Sequence, residues 1–245
     1  MMDMPRKHLN LSPLLMRLIL IFFSALLITG CASNPHNPKD PFESYNRAVY
    51  NFNDGLDRAL LKPIAKGYRA ILPAPAKILV NNFFSNLDDI TVTANDLLQL
   101  KFKQAAIDGS RVLFNSTFGI FGLLNVTTHL DKHNEDFGQT LGYWGVGSGP
   151  YVMLPFFGPS NIRDGVGLLG DSLTGVITQV TNVPLRNGLY LTEKIKSREG
   201  LLDQEQTLEE FSDRYAFIRD YYLARRQSLV YDGYPPREKF IDDEE

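Results

Sequence analysis

Residues 136–167 read DFGQTLGYWGVGSGPYVMLPFFGPSNIRDGVG, and this stretch decides what kind of fold the chain can have. Between Gly138 and Gly170 lie 9 of the chain's 19 glycines, together with Pro150, Pro155 and Pro159. Glycine opens backbone conformations closed to other residues, and proline fixes φ and removes a donor, so no uninterrupted helix runs through it. Yet Tyr143, Trp144, Tyr151, Val152, Met153, Leu154, Phe156 and Phe157 lie in the same stretch, more apolar area than a solvated linker holds. Irregular backbone under an apolar cover belongs in a packed interior or, in lipid, beside a cavity. The expectation is a bent, rigidly packed hairpin or loop over Gly138–Gly158, with Pro159–Asp164 starting the helix that supports it.

Before this stretch, the N-terminus sets the compartment. Arg6, Lys7 and Arg17 precede an apolar run from Leu18 to Ile28, broken by Ser24. At about 1.5 Å per helical residue that run is too short to cross roughly 30 Å of hydrocarbon. A basic start, a short apolar core and small residues before a cut describe a secretory signal. Its end, Ile28-Thr29-Gly30-Cys31, resembles the bacterial lipoprotein signal, in which the cysteine receives lipid and becomes the new N-terminus. Cys31 is the chain's one cysteine, which excludes an internal disulfide. Ala32 follows, where an aspartate would favour retention at the inner membrane, so delivery to the outer membrane is permitted. The expected organisation is a signal over 1–30, a lipidated N-terminus and tether over 31–39, a helical body over 40–231 and a disordered acidic tail over 232–245.

Residues 1–30 hold three of the 25 basic and one of the 28 acidic residues, leaving 22 against 27 and a formal charge of −5. That balance excludes a nucleic-acid binder, which needs a basic face. After the signal no stretch reaches 18 uninterrupted apolar residues, so no transmembrane helix is expected.

The body reads as helices. Asp40-Pro41-Phe42-Glu43 predicts a capped start, with Tyr45, Val49, Phe52 and Leu56 on one stripe and an end at Lys62-Pro63. A second short helix stops before Pro73. From Pro75, the apolar stripe Ala76, Leu79, Phe83, Leu87, Ile90, Ala94 and Leu97 predicts a long helix that breaks near Thr91–Thr93. Asn86, Asp89, Asn95 and Asp96 fall off that stripe. Val112–Val126 is apolar all round, which predicts a helix either central to the core or lying in lipid. Helical patterns resume over Asn161–Val180 and Pro184–Lys196. A last long helix is expected from about Thr207, capped with Glu210, to Val230, with Leu208, Phe211, Tyr215, Ile218 and Tyr222 buried. The fold class is all-α.

Three constellations were weighed for chemistry. His129 and His133 have the spacing of a helical metal pair, but the segment HLDKHNED is polar and places no third ligand, so it reads as a solvated turn with no metal. Gly145-Val146-Gly147-Ser148-Gly149 lacks the order of a nucleophile elbow, and Pro150 behind it argues against the strand–loop–helix of a P-loop. Arg163-Asp164 at a helix start reads as a structural ion pair. No catalytic constellation emerges, and the chain does not read as an enzyme.

Two motifs, DPFESYNRAVYNFNDGLD over 40–57 and DFGQTLGYWGVGSGPYVMLPFFGPSNIRD over 136–164, resemble those of the VacJ-like family, the MlaA outer-membrane lipoproteins. The resemblance spans roughly Asp40 to Tyr231. It implies a single ring-like domain of amphipathic and interfacial helices at the periplasmic face of the outer membrane of a Gram-negative bacterium. It also implies an amphipathic channel that takes mislocalised phospholipid from the outer leaflet towards a soluble periplasmic carrier and the inner membrane. Trimeric outer-membrane porins would be partners, phospholipid the cargo, and the covalent lipid on Cys31 the one attached group. The resemblance marks Asn46, Arg47, Phe52 and Asn53 in the first motif as structural or channel candidates. In the second it marks Gly142, Trp144, Gly145, Gly147, Gly149, Pro150, Pro155, Gly158, Pro159, Arg163 and Asp164. A structural or adaptor lipoprotein that binds porins without conducting lipid is the alternative, and a lipid hydrolase is a third class that lacks catalytic residues.

Overall fold

The computed structural model describes residue 37 and residues 39–236; the signal, Cys31 and the acidic end from 237 lie outside them. Nine α-helices are described: α1 Glu43–Leu56, α2 Lys62–Ile71, α3 Ala74–Leu98, α4 Phe102–Thr117, α5 Phe137–Tyr143, α6 Ile162–Thr174, α7 Val183–Gly200, α8 Glu205–Glu209 and α9 Arg214–Val230. One antiparallel hairpin, β1 Tyr151–Leu154 and β2 Gly158–Asn161, pairs Tyr151 with Asn161 and Leu154 with Gly158. The all-α expectation holds. A hairpin is present too, but over Tyr151–Asn161 rather than Gly138–Gly158: Gly138 belongs to α5, Pro159–Asn161 lie in β2, and the helix that follows starts at Ile162.

Several local expectations are corrected. Asp40 caps no helix: α1 starts at Glu43 without a side-chain cap, and Asp40 is fully buried, accepting from Asn46 Nδ2 at 2.8 Å and from Tyr215. A carboxylate taken into the interior is held by donors, which outweighs its local capping use. Lys62-Pro63 does not end the first helix, because a π-helical turn over Asp57–Leu61 carries α1 into α2. The wider turn accommodates a proline that supplies no N–H to the turn before it and would crowd its carbonyl. Nor does α3 break at Thr91–Thr93: Thr93 Oγ1 returns to the Asp89 carbonyl at 2.7 Å, and the helix runs 25 residues.

The expected helix over Val112–Val126 stops at Thr117. Ile120, Phe121 and Gly122 take positive φ (53°, 56° and 85°), and Gly122 N–H closes onto the Asn115 carbonyl at 2.9 Å. The last long helix is likewise split. Residues 210–213 separate α8 from α9, and Asp213, rather than Thr207, caps α9 by accepting from Ala216 N–H. Asp232, placed by the sequence in the tail, accepts from Lys101 Nζ at 2.6 Å.

What holds these elements together is mostly polar. Among the described residues nineteen buried side chains are polar or charged and eight are apolar, the reverse of a protein that folds around an oily core. On α3 the buried face carries Asn86, Asp89, Asn95 and Asp96 beside Phe84 and Val92, whereas Ile78, Leu97 and Leu98 point outward. On α4 Asp108, Arg111 and Asn115 are buried and Leu113 and Phe114 exposed. The loop after it exposes Phe118, Ile120, Phe121 and Leu124. On α3 the predicted apolar stripe is half-buried to exposed and the polar residues beside it take the buried face, whereas Tyr215, Ile218 and Tyr222 of α9 face inward as expected. Exposed apolar faces are stable where the surroundings are themselves apolar, as in a lipid leaflet. The one compact apolar cluster, Tyr151, Met153 and Tyr215 with Val49, Tyr50, Tyr222 and Leu223 against it, sits where the hairpin meets α1 and α9.

Candidate functional site

The hairpin is held to α1 by two asparagines. Asn46 Nδ2 donates to the Tyr151 carbonyl at 3.1 Å, and Asn46 Oδ1 accepts from Met153 N–H at 2.7 Å. Asn53 repeats the pattern, donating to the Leu154 carbonyl at 3.0 Å and accepting from Phe156 N–H at 2.9 Å. The repeat works because the pitches match: seven helical residues rise about 10.5 Å, and three strand residues about 10 Å. Each side-chain amide presents one N–H and its carbonyl oxygen to the hairpin, as a backbone residue would, so α1 docks on the hairpin backbone much as a neighbouring strand would. Phe52 packs edge-on against Phe156 at the hairpin's outer end, centroids 5.4 Å apart, with Pro155 exposed in the turn. Gly158, at φ 89°, reverses the chain, and Pro159 stands opposite Met153.

The other end of the hairpin enters a buried ionic cluster. Asn161 caps α6 by accepting from Asp164 N–H at 2.8 Å. Asp164 binds Arg163 Nε and Nη2 at 3.0 and 2.9 Å, Tyr222 Oη at 2.7 Å and Arg226 Nη2 at 3.0 Å. Arg226 also donates to Asp136 at 2.9 Å. Burial pushes the Asp136 carboxyl up, but the Arg226 hydrogen bonds and charge, with the Gln139 amide, carry it below the usual carboxylate range. Burial likewise raises the Tyr222 phenol, and the Asp164 carboxylate raises it further. The Arg163-Asp164 ion pair that the sequence suggested is present and is part of a larger network.

α9 supplies the partners that sequence reasoning missed. Tyr215, Arg219, Tyr222 and Arg226 recur at spacings of four, three and four, one face of a helix. Tyr215 and Arg219 reach Asp40; Tyr222 and Arg226 reach Asp164 and Asp136. Reading the tyrosines as an apolar stripe hid this, and the alternation of Tyr with Arg was the available signal.

Between α9 and the segment joining α5 to β1 lies a cavity of about 750 Å³. Its lining includes the polar Lys39, Asn161, Arg163 and Arg226 and the apolar Val146, Leu223 and Val230. Gly142, Gly145, Gly147 and Gly149 line it too, so much of one wall is bare backbone. Gly142 is required by close approach: a Cβ there would lie 2.7 Å from Arg163 Nη1 and 2.9 Å from Val230 Cγ2. Gly149 combines φ 65° with 3.1 Å to Ile162 Cβ, whereas Gly145 needs only its positive φ of 90°. Gly147 has neither constraint and faces open space. Pro150 ends the loop, its carbonyl accepting from Ile162 N–H at 3.2 Å.

Three candidates lie elsewhere. Arg47 pairs with Glu43 at 2.7 Å and Asp213 at 2.6 Å, and lines a separate polar cleft of about 340 Å³. Trp144 is exposed, its Nε1 donating to the Leu98 carbonyl at 3.2 Å. Cys31 is outside the described residues. His133, read from sequence as part of a solvated turn, is half-buried with Nδ1 2.5 Å from the buried Asp108.

Comparison with known proteins agrees with this architecture. A family model described as MlaA lipoprotein matches residues 38–229. Relatives from Shigella flexneri and Escherichia coli (strain K12), each an intermembrane phospholipid transport system lipoprotein MlaA, are 34% identical over 229 residues, which is 89% of this chain and 90% of theirs. An uncharacterized protein of Rickettsia felis is 35% identical over 204 residues, 78% of each chain. A solved chain, from work on the structural basis for maintenance of bacterial outer membrane lipid asymmetry, superposes with a TM-score of 0.70 at 33% identity, over 78% of this chain and 98% of that one.

Proposed function

The chain belongs to the MlaA lipoprotein family, and from that premise we propose that it maintains outer-membrane lipid asymmetry by giving mislocalised phospholipid a path out of the outer leaflet. It is a membrane-associated lipoprotein of an intermembrane phospholipid transport system. In this reading a ring-like body lies in the inner leaflet of the outer membrane, held by lipid on Cys31 and seated beside a trimeric porin. Lipid leaves its interior for a soluble periplasmic carrier and the inner membrane.

The observation that carries the reading is the inverted distribution of side chains. Apolar groups outside suit a leaflet, while a polar interior with a half-apolar cavity suits a molecule with a headgroup and tails. No helix among the described residues is long and apolar enough to cross a membrane, which agrees with a body seated in one leaflet. An adaptor that binds porin without conducting lipid would account for the exposed apolar faces but gives the cavity no role. A passive path cannot shift an equilibrium, so net direction comes from the energised partners.

The test is deletion of the gene in its host, followed by labelling of phospholipid exposed at the cell surface. The expected result is a rise that the wild-type gene reverses. No rise, with porins intact and no redundant lipid-clearing enzyme, overturns the reading.

A further inference from the structure

We propose that the cavity holds the phosphate of a phospholipid headgroup on the amides of the 147–149 loop and the free nitrogen of Arg163, an inference that rests on the lipid-path reading.

Arg163 is 8% exposed, and Asp164 engages its Nε and Nη2. Nη1 has no acceptor among the described residues, although the residue lines the cavity. Gly142 clears the space for this nitrogen, since a Cβ would stand 2.7 Å from it. A buried guanidinium held rigid on one edge and open on the other is a pre-oriented donor for an oxyanion.

The second observation is backbone. Trp144, Gly145 and Val146 donate their N–H groups to Thr140, Gly142 and Leu141, and Tyr151 donates to Lys39. Between them the N–H groups of Gly147, Ser148 and Gly149 have no acceptor among the described residues. Successive unpartnered amides in a loop form an anion-binding concavity. The loop follows a helix and leads into a strand, so it is not a P-loop, and it reaches the same end by different geometry.

Charge agrees. The lining carries Lys39, Arg163 and Arg226 against one carboxylate, Asp220, which already pairs with Arg219 at 2.8 Å. Arg226 is committed to Asp136 and Asp164, which leaves Lys39, Arg163 Nη1 and the loop amides as donors toward the cavity. The volume, about 750 Å³, falls in the range of small-molecule sites and suits a headgroup.

Gly147 gives the cleanest test, because a side chain there meets nothing within 4 Å and needs no unusual φ. Gly147→Asp and Gly147→Asn are nearly isosteric and differ in charge. The purified mature lipoprotein in a neutral detergent is titrated calorimetrically with dihexanoyl phosphatidylethanolamine, dihexanoylglycerol and inorganic phosphate. The expected result is that wild type binds the phospholipid at least tenfold more tightly than the phosphate-free diglyceride. Gly147→Asp should lose about tenfold in affinity for the phospholipid alone. Equal binding by the two variants overturns the site, and so does inorganic phosphate binding as tightly as the phospholipid, which would assign it to the free anion. Either failure, with a variant that fills the cavity still blocking lipid clearance in cells, removes the phosphate site and leaves the lipid path standing.

Discussion

Replacing Asp96 by asparagine should stabilise the fold at pH 8 and do much less at pH 4.5. Asp96 lies on the buried face of α3, fully buried, and neither carboxylate oxygen has a hydrogen-bond partner among the described residues. Burial pushes its pKa up to about 7, and Asp108 and Glu135 raise it while His133 and Lys101 oppose them. The unfolded chain releases this proton near 3.8, the folded chain near 7, so across that interval the folded state binds more protons. Stability contributed by this group is therefore full below about pH 4 and lost as pH rises through 7. Three pH units correspond to about 4 kcal/mol, and partial hydration of the ionised form brings the expected effect to about 2–4 kcal/mol. The assay is urea unfolding of the detergent-solubilised protein, followed by circular dichroism, for wild type and Asp96→Asn at both pH values. Burial also raises Asp171, to about 6, but comparing the two proteins at each pH largely cancels such groups. The variant's advantage should grow by about 2–4 kcal/mol between the two conditions. Parallel profiles would refute the reasoning and mean that Asp96 ionises normally in the fold.

Three further substitutions probe other links. Asn46→Ala strands Met153 N–H and the Tyr151 carbonyl in the interior and should destabilise by about 3–5 kcal/mol, whereas Asn53→Ala, at the more exposed end, should cost about 1–2 kcal/mol, as read by thermal unfolding. Equal losses would dismiss the matched-pitch clamp as an energetic unit. Gly142→Val forces a side chain against Arg163 and Val230 and should destabilise by about 1–3 kcal/mol in the same assay. Phe121→Ser, at a side chain 80% exposed, should leave the unfolding midpoint in detergent within a degree or two and weaken vesicle binding of the unlipidated chain by about tenfold. Unchanged vesicle partition would mean that this loop does not enter lipid.

The same residues show what the sequence could and could not convey. Helical periodicity placed α1, α2, α3, α6 and α7 along the chain but missed α4 over Phe102–Arg111, and the glycines and prolines of 138–159 marked irregular backbone that proved to be a short helix, an open loop and a hairpin. Period gives a stripe's position but not its facing. Asp96 and Asn95 were set on the outer side of α3 because polar residues face water in most proteins, and here they face inward. Ile120 and Phe121 at positive φ ended α4 early, against their own preference, and only Gly119 and Gly122 hinted at it. The ionic cluster beside the cavity was legible in part. Arg163, Asp164 and the glycines came from the motif, but Tyr222 and Arg226 join them across 58 to 90 residues of chain, a distance that no local spacing encodes. The glycines also proved unequal, since Gly147 is conformationally free while Gly233, an apparently neutral position in the tail, takes φ 88°.

That freedom makes Gly147→Trp the most direct measurement of the central claim, that lipid passes through the interior. Gly147 lines the cavity and a Cβ there meets nothing within 4 Å, so the variant should keep the wild-type melting temperature and porin association. In a strain lacking the native gene it should fail to clear phospholipid from the outer leaflet, leaving surface label at the level of the deletion. Clearance equal to wild type by a folded, porin-associated Gly147→Trp protein would contradict the lipid path and favour an adaptor.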